Sequence, residues 1–209
     1  MDHPVGPVLS VDEIIVRELS KLPGWCSDQK GMRMATLARG ASLCVELGVF
    51  GGRSLISVAL TLADQGFGQV HGIDPFTKEA ALEGVNDVKN DEWWSGLDYE
   101  AIAYAAQTAL YELDLTPHAQ LIRMRSLEVV DYYTNESLDL IHQDSNHSEK
   151  VSCEEVARWS PKIRPNGYWI FDDTNWESTK KAQQDLEALG FVELEDHVTW
   201  KVYRNGAQR

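Results

Sequence analysis

Two adjacent carboxylates, Asp172 and Asp173, end the apolar run "GYWIF" and are followed by Trp176. Neighbouring side chains on a strand face opposite sides, so two acids in succession point apart unless the chain is already turning. Other apolar runs end in the same way: Glu46 lies in "LCVEL", Asp74 follows "QVHGI", and Asp144 lies just beyond "LDLIH". Ser126 comes shortly after "AQLIR", and His147 stands three residues past Asp144. Grouped carboxylates can bind a hard cation or accept hydrogen bonds from hydroxyls and ammonium groups. Without a cation two close acids repel, and one tends to take up a proton. A histidine titrates near neutrality and can take a proton from a hydroxyl. For His147 the bland alternative is a cap on the helix that begins near Ser148, just as any single acid of this row can cap the helix after it.

The stretch "VELGVFGGRS" follows one of these runs and opens a helical one. Glu46, Gly48 and Gly51 stand at the three glycine positions of the dinucleotide fingerprint G-x-G-x-x-G, with Gly52 next to them. A carboxylate in place of the first glycine would repel a pyrophosphate but suits an ammonium or a bound water. The pattern therefore favours a cationic, phosphate-free cofactor over NAD. Asp74, at the end of the next run, stands where a carboxylate can accept the hydrogens of a ribose diol.

The elements that must carry these residues follow from periodicity. Ser10 and Glu13 make a capping box for a first helix that Pro23-Gly24 stops, and a second helix covers "SDQKGMRMATLAR". Strand and helix patterns then alternate from "LCVEL" to "GYWIF", and "FVELED" and "VTWKVYR" form a closing antiparallel hairpin. Such alternation implies an α/β fold, a mostly parallel sheet with helices on both faces, whose ligands bind beyond the carboxyl ends of the strands. One domain over residues 1–209 is expected, with the helices of residues 1–40 serving as a lid or a dimer contact. Residues 77–97 form an insertion too long for an ordinary connection, placed to cover the site. Its Trp93 and Trp94 are either a planar wall for a substrate or anchors that pin the insertion down, and Trp176 is the better substrate contact.

Composition narrows the partners. With 33 acidic and 19 basic residues the formal net charge is −14, which opposes extended contact with nucleic acid or an anionic membrane. No basic leader with an apolar core and no membrane-length apolar run is seen, so a cytoplasmic protein is expected. Cys26, Cys44 and Cys153 lack paired spacing and fit a reducing compartment, with Cys44 packing as a small hydrophobe. His71, His118 and His142 read as structural.

Glu46-Leu47-Gly48 with Gly51-Gly52 and a later Asp74 resembles the S-adenosylmethionine site of class I methyltransferases, whose Rossmann-like fold has a seven-stranded sheet. The stretch "IHQDSNHSEKVSCEEVARWSPKIRPNGYWIFDD" is similar to a subgroup that includes macrolide and aminocoumarin sugar O-methyltransferases, related to catechol-type enzymes. The resemblance implies an O-methyltransferase that carries a methyl group from S-adenosylmethionine to a hydroxyl of a small molecule. By the same resemblance Glu46, Gly48, Gly51 and Gly52 hold the methionine part, Asp74 the ribose, and Ser126 lies near the adenine. Asp144, Asp172 and Asp173 would hold one divalent cation, Mg²⁺ by ligand type, and His147 takes the position of the catechol-type base. Ser145, Asn146 and Glu149 depart from the subgroup's pattern on the substrate side. A metal-independent methyltransferase and a non-catalytic nucleotide-binding protein of the same fold are the alternatives.

Overall fold

The computed structural model describes residues 9–85 and 87–206. Ser10 starts α1 (Val11–Leu19) through the expected capping box, its hydroxyl accepting from Glu13 N while Glu13 reaches back to Ser10 N. Ser27 caps α2 (Asp28–Ala38) in the same manner by accepting from Lys30 N. The alternating part runs β1 (Leu43–Leu47), α3 (Arg53–Gln65), β2 (Gln69–Ile73), α4 (Lys78–Ala81), α5 (Val88–Ser95), α6 (Tyr99–Glu112), β3 (Ala119–Ile122), α7 (Ser126–Val129), β4 (Leu138–Gln143), α8 (Glu149–Trp159) and β5 (Ile163–Asp172). It ends in α9 (Lys180–Ala188), β6 (Phe191–Asp196) and β7 (Trp200–Asn205).

Among the described residues the strands form one seven-stranded sheet in the order β3-β2-β1-β4-β5-β7-β6. β1 to β5 pair in parallel, and β7 runs antiparallel between β5 and β6, as the alternating pattern and its closing hairpin require. β4 is buried along its whole length in the middle of the sheet, its polar Asp139, His142 and Gln143 included. Two apolar clusters flank the sheet. One joins Leu55, Ile56, Leu62, Ile15, Leu19 and Met34 of α3, α1 and α2; the other joins Val156, Trp159, Trp169 and Leu186 of α8, β5 and α9.

The N-terminal helices are thus part of the core, packed against α3, rather than a detached cover. The loop between them, Pro23 to Ser27, borders the site together with Lys30 of α2. The insertion carries α4 and α5, each capped by a side chain, Thr77 for α4 and Asp87 for α5. Among the described residues no helix is long and apolar enough to cross a membrane. Cys26, Cys44 and Cys153 are all free thiols.

Candidate active site

The switch in strand order falls between β1 and β4, where chains leaving neighbouring strands diverge and open a crevice at the carboxyl edge. A cavity of about 920 Å³ occupies this edge. Its wall includes Gly48, Asp74, Ser126, Asp144, His147, Asp172, Asp173, Trp93, Trp94 and Trp176, so the polar strand ends read from the sequence, Glu46 excepted, line one cavity.

The glycine turn is shaped by close approach. Gly48 has φ +82°, and a Cβ there would lie 2.1 Å from the Asp144 carbonyl oxygen. Only glycine lets the β1 and β4 exits touch. Gly51 and Gly52 complete the turn, and Gly52, at φ +84°, starts α3 without a side-chain cap. The amides of Val49 and Phe50 donate to Asp74 Oδ2 at 2.9 and 3.1 Å, and Phe76 N donates to Oδ1 at 2.7 Å. Asp74 therefore ties the turn to the end of β2 while facing the cavity. Burial raises its carboxyl above the ordinary range, with the three amides pulling the other way.

Glu46 lies behind this turn instead of on the cavity wall. Oε1 accepts from Ser54 Oγ at 2.7 Å, and Oε2 lies 3.3 Å from His142 Nδ1. Ser126 donates to Glu155, whose other oxygen accepts from Gln143 at 2.9 Å and from Ser145 at 2.6 Å. Glu155 is a fully buried acid that sequence reading missed, and burial raises its carboxyl. Asn146, one of the departures from the subgroup, donates to the carbonyls of Ala80 and Ala81 at 3.2 and 3.0 Å and so fastens α4 over the edge.

At the chemical end the three aspartates divide into two groups. Among the described residues His142, Asp144 and Asp172 offer one set of ligand atoms within 4.8 Å of one another, and Asp144, His147 and Asp173 offer a second. Asp173 has φ +47°, so the chain turns just past β5 and sends the two neighbouring acids different ways. The expectation of one ion held by Asp144, Asp172 and Asp173 together therefore meets a different geometry. A residue not foreseen accounts for it: Lys30 of α2, 2% exposed, donates from Nζ to Asp172 Oδ2 and stands 3.6 Å from Asp144 Oδ2.

His147 Nε2 lies 3.1 Å from Asp173 Oδ2 and 3.7 Å from Asp144 Oδ1, and its ring packs against Trp176 with centroids 5.2 Å apart. It does not cap α8; that end is led by Ser148, whose amide donates to Asn146 Oδ1 at 2.9 Å. Burial lowers His147 below the ordinary histidine range, with Asp173 opposing the shift. Burial works against the charge of Lys30, but Asp144 and Asp172 outweigh it and hold the ammonium above the usual range. For Asp172 burial is overcome by Lys30, which pulls the carboxyl down to about 2. Asp144 moves the other way, well above the ordinary range, through burial and the neighbouring charge of Asp172. Burial also raises Asp173, against the pull of His147.

His142 was expected to be structural, yet its Nε2 lies 3.8 Å from Asp144 Oδ2 and 3.9 Å from Asp172 Oδ2, inside the cluster. His71, bonded to the Tyr133 hydroxyl at 2.8 Å, and His118, bonded to the Gly68 carbonyl at 3.0 Å, lie apart from it. Over the cavity mouth Trp93 and Trp94 meet Trp25 and Phe50 edge-on or tilted, with ring centroids 4.9–6.3 Å apart. The two tryptophans thus pin the insertion and line the cavity at once.

Residues 45–174 match the methyltransferase domain family. The chain belongs to that family. Its span within this methyltransferase runs from β1 to just past Asp173 and so contains the glycine turn, Asp74, Asp144, His147 and the acid pair. No curated protein matches the sequence. Solved structures with the same fold include the O-methyltransferase TomG of Streptomyces achromogenes, involved in tomaymycin synthesis and solved with S-adenosylmethionine. It is 13% identical, with a TM-score of 0.61 over 96% of this chain and 92% of that one. An O-methyltransferase of Bacillus cereus in complex with S-adenosylhomocysteine is 14% identical, with a TM-score of 0.59 over 96% and 93%. The O-methyltransferase NovP is 12% identical, with a TM-score of 0.68 over 87% and 81%. The fold is thus the Rossmann-like one of class I S-adenosylmethionine-dependent methyltransferases.

Proposed function

We propose that this methyltransferase transfers a methyl group from S-adenosylmethionine to a hydroxyl of a small molecule, with His147 as the base. The observation that carries the reading is the pairing of His147 with Asp173 on the wall of the cavity that also holds the Gly48 turn and Asp74. At about 920 Å³ the cavity is near the upper end of small-molecule sites, with room for a cofactor and an acceptor side by side. S-adenosylmethionine supplies the methyl group on a sulfonium. The new bond joins the acceptor oxygen to the methyl carbon as the carbon–sulfur bond breaks, and S-adenosylhomocysteine leaves neutral at sulfur. His147 Nε2 takes the hydroxyl proton, and the Asp173 carboxylate beside it stabilises the imidazolium. Gly48, Gly51 and Gly52 shape the seat of the cofactor, Asp74 accepts from its ribose, and Ser126 lines the adenine end. Glu46 acts from behind the turn, orienting it through Ser54. Trp176, packed on His147, and Trp93 and Trp94 at the mouth contact the acceptor.

A divalent cation assisting the transfer is the second reading, favoured by the second ligand set of Asp144, His147 and Asp173. In that case oxygen ligands and one imidazole suit a cation such as Mg²⁺ or Mn²⁺, and His147 is a ligand instead of a base. Two measurements test both readings. S-adenosylhomocysteine should bind in calorimetry and raise the melting temperature, whereas NADH should not. Asp74→Ala should weaken that binding by about 1.5–3 kcal/mol, the value of a hydrogen bond to a charged group. No binding of S-adenosylhomocysteine rejects the cofactor, and loss of turnover in excess chelator with cofactor binding intact selects the second reading over the first.

A further inference from the structure

We propose that Lys30 is the built-in cation of this site, taking at Asp144 and Asp172 the place that a divalent ion would otherwise fill. The inference goes beyond the proposed activity and rests on it only for the position of the acceptor.

The geometry is specific. The Oδ2 atoms of Asp144 and Asp172 are the same atoms that face His142 Nε2 and would make the first ligand set, and both are turned to Lys30 Nζ. An ammonium at those oxygens repels a divalent ion brought to the same place. The ammonium is also not a surface group that swings aside, because Lys30 is 2% exposed. α2 is pressed tightly enough onto its neighbours to deliver the side chain: a Cβ on Gly31 would lie 2.5 Å from Leu19 Cδ1 and 2.8 Å from Ser57 Oγ. A lysine stem of four carbons then reaches from the core face of α2 to the carboxyl edge of β4 and β5.

Gathering one buried and two half-buried aspartates at one edge needs positive charge, since uncompensated charges in a low-dielectric interior are strongly unfavourable. Lys30 supplies it from inside the chain for Asp144 and Asp172. Asp173 is left to His147. The division of the acid pair observed at β5 is what such an arrangement requires: one aspartate serves the internal cation and the next serves the base. The wild type should therefore hold no divalent ion at His142, Asp144 and Asp172, and removing the ammonium should create the cation site that it now fills.

The test compares the wild type with Lys30→Met, which keeps the volume of the stem, by calorimetry and thermal unfolding with Mg²⁺, with Mn²⁺ and with chelator. The wild type should bind no ion at the first set, so any ion that it does bind should survive Asp172→Asn, a residue that belongs to that set alone. Lys30→Met should melt lower, by about 10 °C for a broken buried pair, and millimolar Mg²⁺ or Mn²⁺ should bind and restore much of that loss. Lys30→Gln, which keeps a donor toward Asp172, serves in its place if Lys30→Met does not fold. Stoichiometric ion binding by the wild type that Asp172→Asn abolishes and Asp173→Asn leaves intact would overturn the inference, as would a folded Lys30 variant that gains no ion binding. S-adenosylhomocysteine binding, measured on the same proteins, reports separately on the proposed activity: its absence from the wild type would reject that reading and leave the ion result standing.

Discussion

His147 draws its character from Asp173 and from burial. Asp173 at 3.1 Å stabilises its charged form, while burial disfavours it and prevails. A base lowered in this way stays unprotonated further into acid than a free imidazole, so the acid limb of kcat should fall below pH 6.5. Asp173→Asn removes the opposing carboxylate and should move that limb lower still, with a slower rate. His147→Ala should lose about 10²–10⁴-fold in kcat, the usual worth of a general base, and retain S-adenosylhomocysteine affinity. An acid limb at the ordinary histidine value, or a His147→Ala enzyme of normal rate, would remove it from the chemistry. The acids at this edge were legible because each ends an apolar run. Lys30 was not, since a lysine in "SDQKGMRM" reads as a solvated residue. A signal was nevertheless present: Lys30 shares the buried stripe of α2 with Met34, Leu37 and Ala38, and a charge on that stripe must have a partner.

Among the elements, strand and helix order could be read from the sequence because α3, α6, α8 and β1 to β5 are each long or apolar enough to show their period. The insertion could not be. α4 has four residues and α5 eight, too short and too polar for periodicity, and what fixes them is tertiary: Asn146 holds the last carbonyls of α4, and Trp25 and Phe50 hold the tryptophans of α5. The packing of the N-terminal segment against α3 was not legible for a related reason, because amphipathic helices read as a lid or a dimer contact pack on a core just as readily. The glycine turn was legible in kind, and the structure adds why it is needed. Gly48→Ala places a methyl group against the Asp144 carbonyl in a left-handed conformation, and should cost about 2–4 kcal/mol from the two effects together. The substitution should also weaken S-adenosylhomocysteine binding, as the β1 and β4 exits part. A Gly48→Ala protein with wild-type melting temperature and affinity would show that this contact is dispensable.

Over the whole molecule the charge balance sets how stability follows pH. Asp74, Asp144, Asp173 and Glu155 all have carboxyls raised mainly by burial, so between their raised values and about pH 4 the folded state holds more protons than the unfolded chain. In that window stability rises as pH falls. Relief of the net charge of −14 works in the same direction. His147 and His71 have the opposite sign, because their lowered values let the unfolded chain protonate first below about pH 6.5, but they are two groups against four. Asp172 also has the opposite sign and acts later. Its carboxyl is held at about 2, so its contribution with Lys30 is complete above pH 4 and drains away as pH falls from 4 toward 2. The melting temperature should therefore climb as pH falls through the raised carboxyl values and collapse below about pH 4. Thermal unfolding across that range at constant ionic strength measures the curve. In Lys30→Met the Asp172 carboxyl loses the charge that lowers it and joins the raised group, so the collapse should shift to lower pH and begin from a lower maximum. A wild-type melting temperature that falls steadily as pH is lowered to about pH 4 would mean that the buried acids are not held protonation-ready in the folded protein, and that the −14 charge is compensated elsewhere.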